Sequence, residues 1–136
     1  MNLLTRNEKG LTSLNAILLA VIILFLVIVA YMFLGFRDAA RVISTRGNLT
    51  NLRNAIHTYF TDYEGRYPDD LSGEGFKRYM DGIPFVLIKE AYGNGVTYGT
   101  GKPDSESTGW FYDKSNGKIY INSTLKDKIG IPYCDY

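Results

Sequence analysis

The sequence predicts an α+β protein in which one long N-terminal spine helix, membrane-spanning in its first half, packs against a small antiparallel β-sheet. Three observations support this fold class. Residues 11–36 are mostly apolar and uncharged, apolar side chains recur at helical steps over residues 39–63, and residues 109–122 alternate around an Asn-Gly pair. These patterns are typical of a membrane helix, an amphipathic helix and a β-hairpin, respectively.

The uncharged segment, residues 11–36, lies between Lys9 and Arg37. About twenty apolar residues are needed for a helix to cross the hydrocarbon core of a bilayer, and this segment is longer. A single span must be helical, because its backbone has to satisfy its own hydrogen bonds inside lipid. A buried core helix is the alternative interpretation, but such a helix needs only an apolar stripe. We therefore expect residues 11–36 to be the transmembrane half of the spine helix.

The helix is expected to continue over residues 37–63, outside the membrane, because apolar side chains recur there along one face. An arginine-rich solvated face lies between them. Gly65 and then Pro68 follow the last turn, and glycine followed by proline is a typical helix stop. The apolar stripe consists of Ala39, Val42, Ile43, Leu49, Leu52, Ile56, Tyr59 and Tyr63.

Residues 64–136 are expected to form one small globular domain that begins with an acidic connector loop. Among the glycines that follow the connector, only residues 96–98 have the composition of an extended strand. Residues 100–108 are polar and rich in turn formers, so we predict a loop there.

The clearest strand signal is the C-terminal hairpin. Asn116-Gly117 predicts its turn, because both residue types tolerate positive φ. A loop of two residues and a loop of four residues place the same apolar side chains on one face of the hairpin. We expect that face to cover the helix stripe, and it consists of Trp110, Tyr112, Ile119 and Ile121.

The residues give no indication of catalysis. His57 is the only histidine and lies on a predicted helix, where a surface position is the simpler interpretation. Because no Ser/His/Asp, Cys/His or metal-ligand spacing is present, we predict that the protein is not an enzyme. Cys134 is the only cysteine, so it has no partner for an internal disulfide. The formal net charge of +1 does not indicate a nucleic-acid partner.

A short polar leader that carries Arg6 and Lys9 ends at Gly10, directly before the apolar segment. This arrangement resembles the N-terminal signal of type IV pilins and type II secretion pseudopilins. The resemblance extends to the Gly-Arg-Tyr-Pro turn at residues 65–68. Residues 109–119, with the pattern G-W-x-Y-D-x-x-x-G-K-I, are similar to the final hairpin of major, G-type pseudopilins. Together these motifs imply a pilin-like fold over most of the chain.

The resemblance implies that a prepilin peptidase removes residues 1–10 by cutting between Gly10 and Leu11 and then methylates the new N-terminus. It also implies a single-pass protein of the bacterial inner membrane with its C-terminal domain in the periplasm. Charge does not favour this orientation and slightly opposes it, because Arg6 and Lys9 before the segment are outnumbered by Arg37, Arg41 and Arg46 after it. The orientation is therefore what the resemblance implies.

The function implied is that of a structural subunit of a type II secretion pseudopilus or a type IV pilus-like filament. Such a prepilin polymerises through its N-terminal helix with copies of itself and with other pilins or pseudopilins. Its other partners are membrane lipid, the prepilin peptidase and an inner-membrane assembly platform, with energy from a separate ATPase. Protein secretion, motility and DNA uptake all remain open as roles of the filament. The alternative is a single-pass membrane-anchored periplasmic binding domain that does not polymerise.

The chain departs from the family at Asn15, the fifth residue after the implied cleavage site, where glutamate is usual. That glutamate is thought to neutralise the N-terminal amine of an adjoining subunit in the filament core, whereas asparagine brings no charge. Three interpretations follow: a minor subunit at the fibre tip, a weaker polar seam that includes Thr12 and Ser13, or an uncleaved chain. We favour a minor or atypical subunit with Asn15 as its polar position in the filament core.

Major pseudopilins of this class bind calcium in the loop after the last strands, so the resemblance makes calcium a candidate ligand. A calcium site needs about six or more converging oxygen atoms. The acidic C-terminal loop of the family is represented here only by a faint similarity at residues 127–130. We therefore predict no cofactor, with calcium as the alternative. The candidate oxygen donors are Asp104, Ser105, Glu106, Asp113, Ser115, Asn116 and Asp127.

Overall fold

A computed structural model describes residues 8–136, with side chains described from residue 12 onward. The chain divides into two units, of which the first ends at Ala39 and the second, the globular unit, runs from Ala40 to Tyr136. Helix α1, Glu8–Asp62, has 55 residues and belongs to both units. This continuous element confirms the prediction of one helix that includes the apolar and the amphipathic segments.

Helix α1 ends at the predicted stop. Glu64 and Gly65 both adopt left-handed backbone conformations, with φ of 54° and 87°. The Gly65 N–H donates a hydrogen bond to the carbonyl oxygen of Phe60 at 2.9 Å and closes the last turn. This bond, together with a left-handed residue after the last turn, is a Schellman C-cap. Glutamate occupies the position where glycine is usual, and the glycine follows it.

The remaining elements are short and belong to the globular unit. They comprise one α-helix, three strands and two single turns of 3₁₀ helix. In chain order they are α2 (Glu74–Lys77), a 3₁₀ turn (Lys89–Ala91), β1 (Val96–Gly99), β2 (Glu106–Asp113), β3 (Lys118–Ser123) and a second 3₁₀ turn (Tyr133–Asp135).

The three strands form one sheet in the order β1-β2-β3. As predicted, β2 and β3 are an antiparallel hairpin, with Trp110 opposite Ile121. In contrast, β1 pairs parallel to β2, with Val96 opposite Trp110. The α+β layout is confirmed, but the sheet is mixed rather than antiparallel, because the chain after Gly99 runs back along the sheet before it pairs. Residues 106–108, which were expected in the loop, already belong to β2.

The hairpin turn has four residues, 114–117, which is one of the two lengths expected. Gly117 has φ of 68°, a conformation that glycine adopts without steric cost. A Cβ atom at Gly117 would overlap with the ring of Tyr67. The ring of Tyr67 also stacks on Phe60, with 4.5 Å between the ring centroids. The turn that ends helix α1 therefore packs directly on the hairpin turn.

The core of the globular unit confirms the predicted hairpin face. Its four side chains are all buried, with at most 1% of the side chain of any of them exposed. They form one hydrophobic cluster with helix residues Leu49, Leu52 and Ile56, while Tyr59 packs against the cluster at its edge. The Nε1–H of Trp110 donates a hydrogen bond to the carbonyl oxygen of Pro84 at 2.7 Å. The amphipathic half of α1 therefore supplies one side of this core.

The globular unit does not cover the predicted helix stripe at its two ends. Ile43 is 70% exposed and Tyr63 is 39% exposed, and Ala39 is exposed as well. Ala55 instead is buried, with 7% of its surface exposed. The globular unit covers only the middle of the amphipathic segment, and it reaches a second helix row that contains Ala55. Apolar periodicity marks a face of a helix, but the length of that face that is covered depends on the rest of the fold.

Candidate functional site: the exposed apolar helix

The first half of helix α1 presents apolar side chains on all of its sides. Among those that are exposed, the exposed fraction ranges from 47% at Ile22 to 80% at Tyr31. The most apolar 18-residue window has a mean hydropathy of 3.3, and none of it is buried against other described residues. Exposed apolar patches of more than a few hundred Å² are interaction or membrane surfaces. The helix is long and apolar enough to cross a membrane, which is weak evidence for a single-pass anchor.

The polar residues of this half lie at its beginning. Thr12, Ser13 and Asn15 are all exposed in the first turns of the described segment. Residues three and four apart share a face of a helix. Thr12 and Asn15 therefore lie on one side, and Ala16 and Ala20 continue the side from Thr12 at steps of four residues. This side combines small and polar side chains, whereas the following residues up to 36 are overwhelmingly apolar.

The implied processing site lies at the edge of the described residues. Gly10 and Leu11 belong to helix α1, and only their backbone conformation is described. Residues 1–7, which make up most of the implied leader, lie outside the described residues. Cleavage between Gly10 and Leu11 therefore stays a prediction.

Three of the candidate calcium ligands come together at the hairpin turn. The carboxylate of Asp113 accepts hydrogen bonds from the N–H of Ser115 at 2.9 Å and from its hydroxyl at 2.6 Å. It also accepts hydrogen bonds from Nδ2 of Asn116 at 2.9 Å and from the N–H of Gly101 at 2.7 Å. These donors, with the Ser115 hydroxyl first, hold the pKa of Asp113 below its usual value. Asp113 thus ties the hairpin turn to the loop that precedes β2.

The other candidate oxygen atoms lie elsewhere. The carboxylate of Asp127 accepts hydrogen bonds from the N–H groups of Ile129 and Ile131 at 2.9 Å each, within the C-terminal loop. Asp104, Ser105 and Glu106 are exposed on the chain that leads into β2. The described residues contain no group of three or more His, Cys, Asp or Glu side chains that could hold a metal ion. The partners of Asp113 and Asp127 are hydrogen-bond donors, whereas calcium requires converging oxygen acceptors.

A groove with a volume of about 520 Å³ lies between helix α1 and β3 in the globular unit. Its walls include the rings of Phe60, Tyr67 and Tyr120, and its basic side chains are Arg53, His57 and Lys118. Sequence reasoning missed this groove, because its walls come from three separate parts of the chain. The volume is within the range of small-molecule sites, which is about 300–1,000 Å³.

Cys134 is buried in the second 3₁₀ turn. Burial, with a further contribution from neighbouring Asp135, raises the pKa of its thiol. A raised pKa leaves little thiolate at neutral pH, and the thiolate is the reactive form. The side chain is therefore a small apolar packing element of the globular unit.

No family model, no curated protein and no solved structure matches the chain. The resemblance to pilins and pseudopilins therefore depends on the sequence motifs. Two of these motifs, the turn that contains Tyr67 and the hairpin turn that contains Gly117, are in direct contact in the globular unit.

Proposed function

We propose that the chain is a structural subunit of a type II secretion pseudopilus or a type IV pilus-like filament. The observation that carries this proposal is the division of helix α1 into two different halves. One half is exposed and, after its first turns, apolar on all sides, whereas a small domain covers the middle of the apolar stripe of the other half. An apolar helix of this length is stable only in lipid or among similar helices. A subunit that is stored in the membrane and then polymerises through its helix has lipid around the helix first and similar helices around it later.

The small and polar side of the apolar half supports helix-to-helix packing. Inside a membrane, helices associate through small residues that let their backbones approach and through polar side chains that hydrogen-bond across the contact. Thr12, Ala16 and Ala20 are spaced four residues apart, and Asn15 lies beside them. Asn15 offers an amide in place of the usual carboxylate, so the seam would be weaker. We infer a minor or atypical subunit on this ground.

The proposal includes the assembly route that the resemblance implies. A prepilin peptidase would cut after Gly10 and methylate Leu11, and an inner-membrane platform would then add the subunit to a periplasmic or surface filament. The order of leader, glycine and apolar helix supports this route. The contact between Tyr67 and Gly117 places the two motifs outside the apolar helix in one packed unit and does not bear on this route.

The alternative is an anchored domain that binds a ligand or partner and does not polymerise. The groove favours this function, because it combines the cations Arg53 and Lys118 with aromatic walls and has no acidic residue in its lining. An anion with an apolar body is the chemical class that such a groove fits.

Two measurements test the filament proposal. Mass spectrometry of protein from native membranes should find an N-terminus at methylated Leu11, and Gly10→Val should abolish this cleavage. Gly47→Ala is the matched control, since a Cβ atom at Gly47 meets no atom within 4 Å. An intact N-terminus at Met1 in cells with an active prepilin peptidase would contradict the processing.

Cross-linking then separates a polymer from a lone anchor. A chain with Ala20→Cys in a Cys134→Ser background should form disulfide-linked copies in native membranes, whereas Ile43→Cys outside the apolar half serves as the control. Monomers at both positions would favour the anchored binding domain.

A further inference from the structure

Two loops of the globular unit are linked to helix α1 near residues 45–48, close to Ala40, where the unit begins. The hydroxyl oxygen of Thr45 accepts a hydrogen bond from the N–H of Leu87 at 2.9 Å. Nδ2 of Asn48 donates a hydrogen bond to the carbonyl oxygen of Phe85 at 2.8 Å. Thr45 is fully buried under this loop. The first loop, residues 84–93, is therefore fixed to the beginning of the covered part of the helix.

The first loop exposes a pair of stacked aromatic rings. The ring centroids of Phe85 and Tyr92 are 5.4 Å apart, with 28° between the ring planes. Phe85 is 42% exposed and Tyr92 is 56% exposed. Between them, Val86 and Gly93 exchange two backbone hydrogen bonds of 2.7 and 3.2 Å, which hold the two rings side by side. The pair is thus a fixed aromatic surface rather than two separate side chains.

The second loop, residues 126–132, exposes apolar side chains in a similarly fixed way. The Asp127 carboxylate accepts two backbone N–H groups within the loop, and Lys126 forms a backbone bridge with Pro132. This closed loop leaves Ile129 78% exposed and Ile131 39% exposed. The loop therefore holds two apolar side chains at the surface, where burial against another surface would be favourable.

Tyr136 brings the second loop to the same level of helix α1. Its hydroxyl donates a hydrogen bond to the Asp127 carboxylate at 2.6 Å. Its ring lies 3.9 Å from the guanidinium carbon of Arg46, and its carbonyl oxygen accepts a hydrogen bond from Arg53 at 2.7 Å. Arg46 lies between Thr45 and Asn48 in the helix. The second loop is therefore linked to the helix through Tyr136, whose ring lies at Arg46, next to the residues that hold the first loop.

The charges beside these apolar tips are mainly positive. Lys126 and Lys128 are exposed on both sides of Asp127 in the second loop, and Arg46 lies on the helix. The carboxylate of Asp127 is turned into its own loop, where it accepts hydrogen bonds. Glu90 offsets the neighbouring Lys89 in the first loop. Aromatic and aliphatic tips with adjacent lysines are the composition that binds the interface of an anionic bilayer.

We propose that this surface docks on the headgroup region of an anionic bilayer while the apolar helix is inserted. The surface, called the loop face below, consists of Phe85, Tyr92, Ile129 and Ile131 with Lys126 and Lys128. Chain continuity supports this occupant, because the unit begins at Ala40, directly after the membrane segment. The inference rests on the membrane anchoring in the proposed function, and it does not require polymerisation. Docking would orient the unit on the bilayer and leave the hairpin turn facing away.

Quenching by spin-labelled lipid in nanodiscs tests the docking with the full-length chain. A fluorophore is attached at Ile129→Cys in a Cys134→Ser background, and the nanodiscs contain phosphatidylcholine with or without phosphatidylglycerol. Lys118→Cys, at the hairpin turn, is the matched control, and Phe33→Cys reports insertion of the apolar helix. We expect strong quenching at positions 33 and 129, with little at position 118. Lys126→Gln and Lys128→Gln should each lower the ratio of docked to undocked unit by about fivefold in anionic nanodiscs.

The outcomes separate this inference from the proposed function. Quenching at position 33 without quenching at position 129 overturns docking and leaves the membrane anchor intact. The absence of quenching at position 33 overturns the anchor, and docking with it. If position 129 is shielded only at high protein density and without lipid quenching, a second copy covers the loop face and docking on lipid is wrong.

Discussion

The two halves of helix α1 have the same secondary structure and opposite relations to the rest of the chain. In the first half, large side chains such as Leu24 and Phe25 are more than half exposed. In the second half, Leu49, Leu52 and Ile56 are at most 2% exposed. The backbone hydrogen bonds of a helix are internal in both halves. Helix formation and burial are therefore separate matters, and only the second depends on the globular unit.

The composition of each half indicates where its stabilisation comes from. The second half carries an apolar stripe and a polar face, so residues 64–136 can cover the stripe and leave the rest in water. The first half carries polar side chains only in its first turns and is apolar on all sides after them, so no small domain of this chain can cover it. It has to obtain its environment from lipid or from other chains. The first two predictions below compare the apolar half with the covered half or with the core that covers it, and the last two concern the globular unit alone.

The largest effect is expected for Trp110→Ala in the core that covers the second half. Truncation of a buried aromatic side chain costs about 3–5 kcal/mol, and here it also removes the hydrogen bond to Pro84. Thermal unfolding of the full chain in detergent, followed by near-UV circular dichroism, measures the loss. Phe33→Ala in the exposed half is the control and should leave this transition in place. Equal transitions for the wild type and Trp110→Ala would contradict the packing of the hairpin on the helix.

A charge in the middle of the first half should act on insertion alone. Leu24→Arg is expected to lower membrane insertion by about 2.5–3.5 kcal/mol, the usual cost of arginine at the centre of a span. The fraction of protein in the membrane pellet after an alkaline wash measures this change. Thr58→Arg, on the exposed face of the second half, should stay in the pellet like the wild type. Full insertion of Leu24→Arg would mean that this half does not cross the bilayer centre.

Gly117→Ala sharpens the comparison at the hairpin turn. The positive φ and the close ring of Tyr67 both oppose a Cβ atom at this position. The expected loss is about 1–3 kcal/mol, as for a residue held in an unfavourable backbone conformation. Thermal unfolding measures this loss, and Gly47→Ala in the helix is the control, because alanine favours a helix over glycine. An unchanged transition in Gly117→Ala would show that the turn relaxes without loss of its packing.

The smallest effect is a change in pH dependence at Asp113. Its pKa lies below the ordinary value of 3.8 in the folded chain, because donors surround the carboxylate. The stability that it contributes is therefore present above the unfolded value and is lost as pH falls through the lowered folded value. Asp113→Asn should flatten part of the loss of melting temperature on acidification below about pH 4. Asp70 and Asp127 have lowered pKa values too, so some acid sensitivity remains. If the melting temperature of Asp113→Asn falls with pH as steeply as that of the wild type, this role of Asp113 is wrong.

The sequence by itself determined the features that depend on neighbouring residues. The uncharged run at residues 11–36 indicates a helix that is long and apolar enough to cross a membrane, because each apolar residue adds to the transfer free energy of the helix. Gly65 and Pro68 indicate the end of the helix, and Asn116-Gly117 indicates the hairpin turn, since these signals act over one turn. Alternation along the hairpin also predicted its buried face, because side chains in a strand point to opposite sides. The apolar surface of the candidate site was therefore accessible without a structure.

Only the tertiary structure decided the features that join distant parts of the chain. The parallel pairing of β1, the exposure of Ile43, the groove beside Lys118 and the contact of Tyr67 with Gly117 belong to this class. So does the arrangement of the loop face at Thr45, where segments some forty residues apart in sequence meet. Each of these features depends on which distant segments pack against each other when the chain folds. A periodic pattern predicts that a side chain is buried, and the tertiary structure determines which residues it contacts.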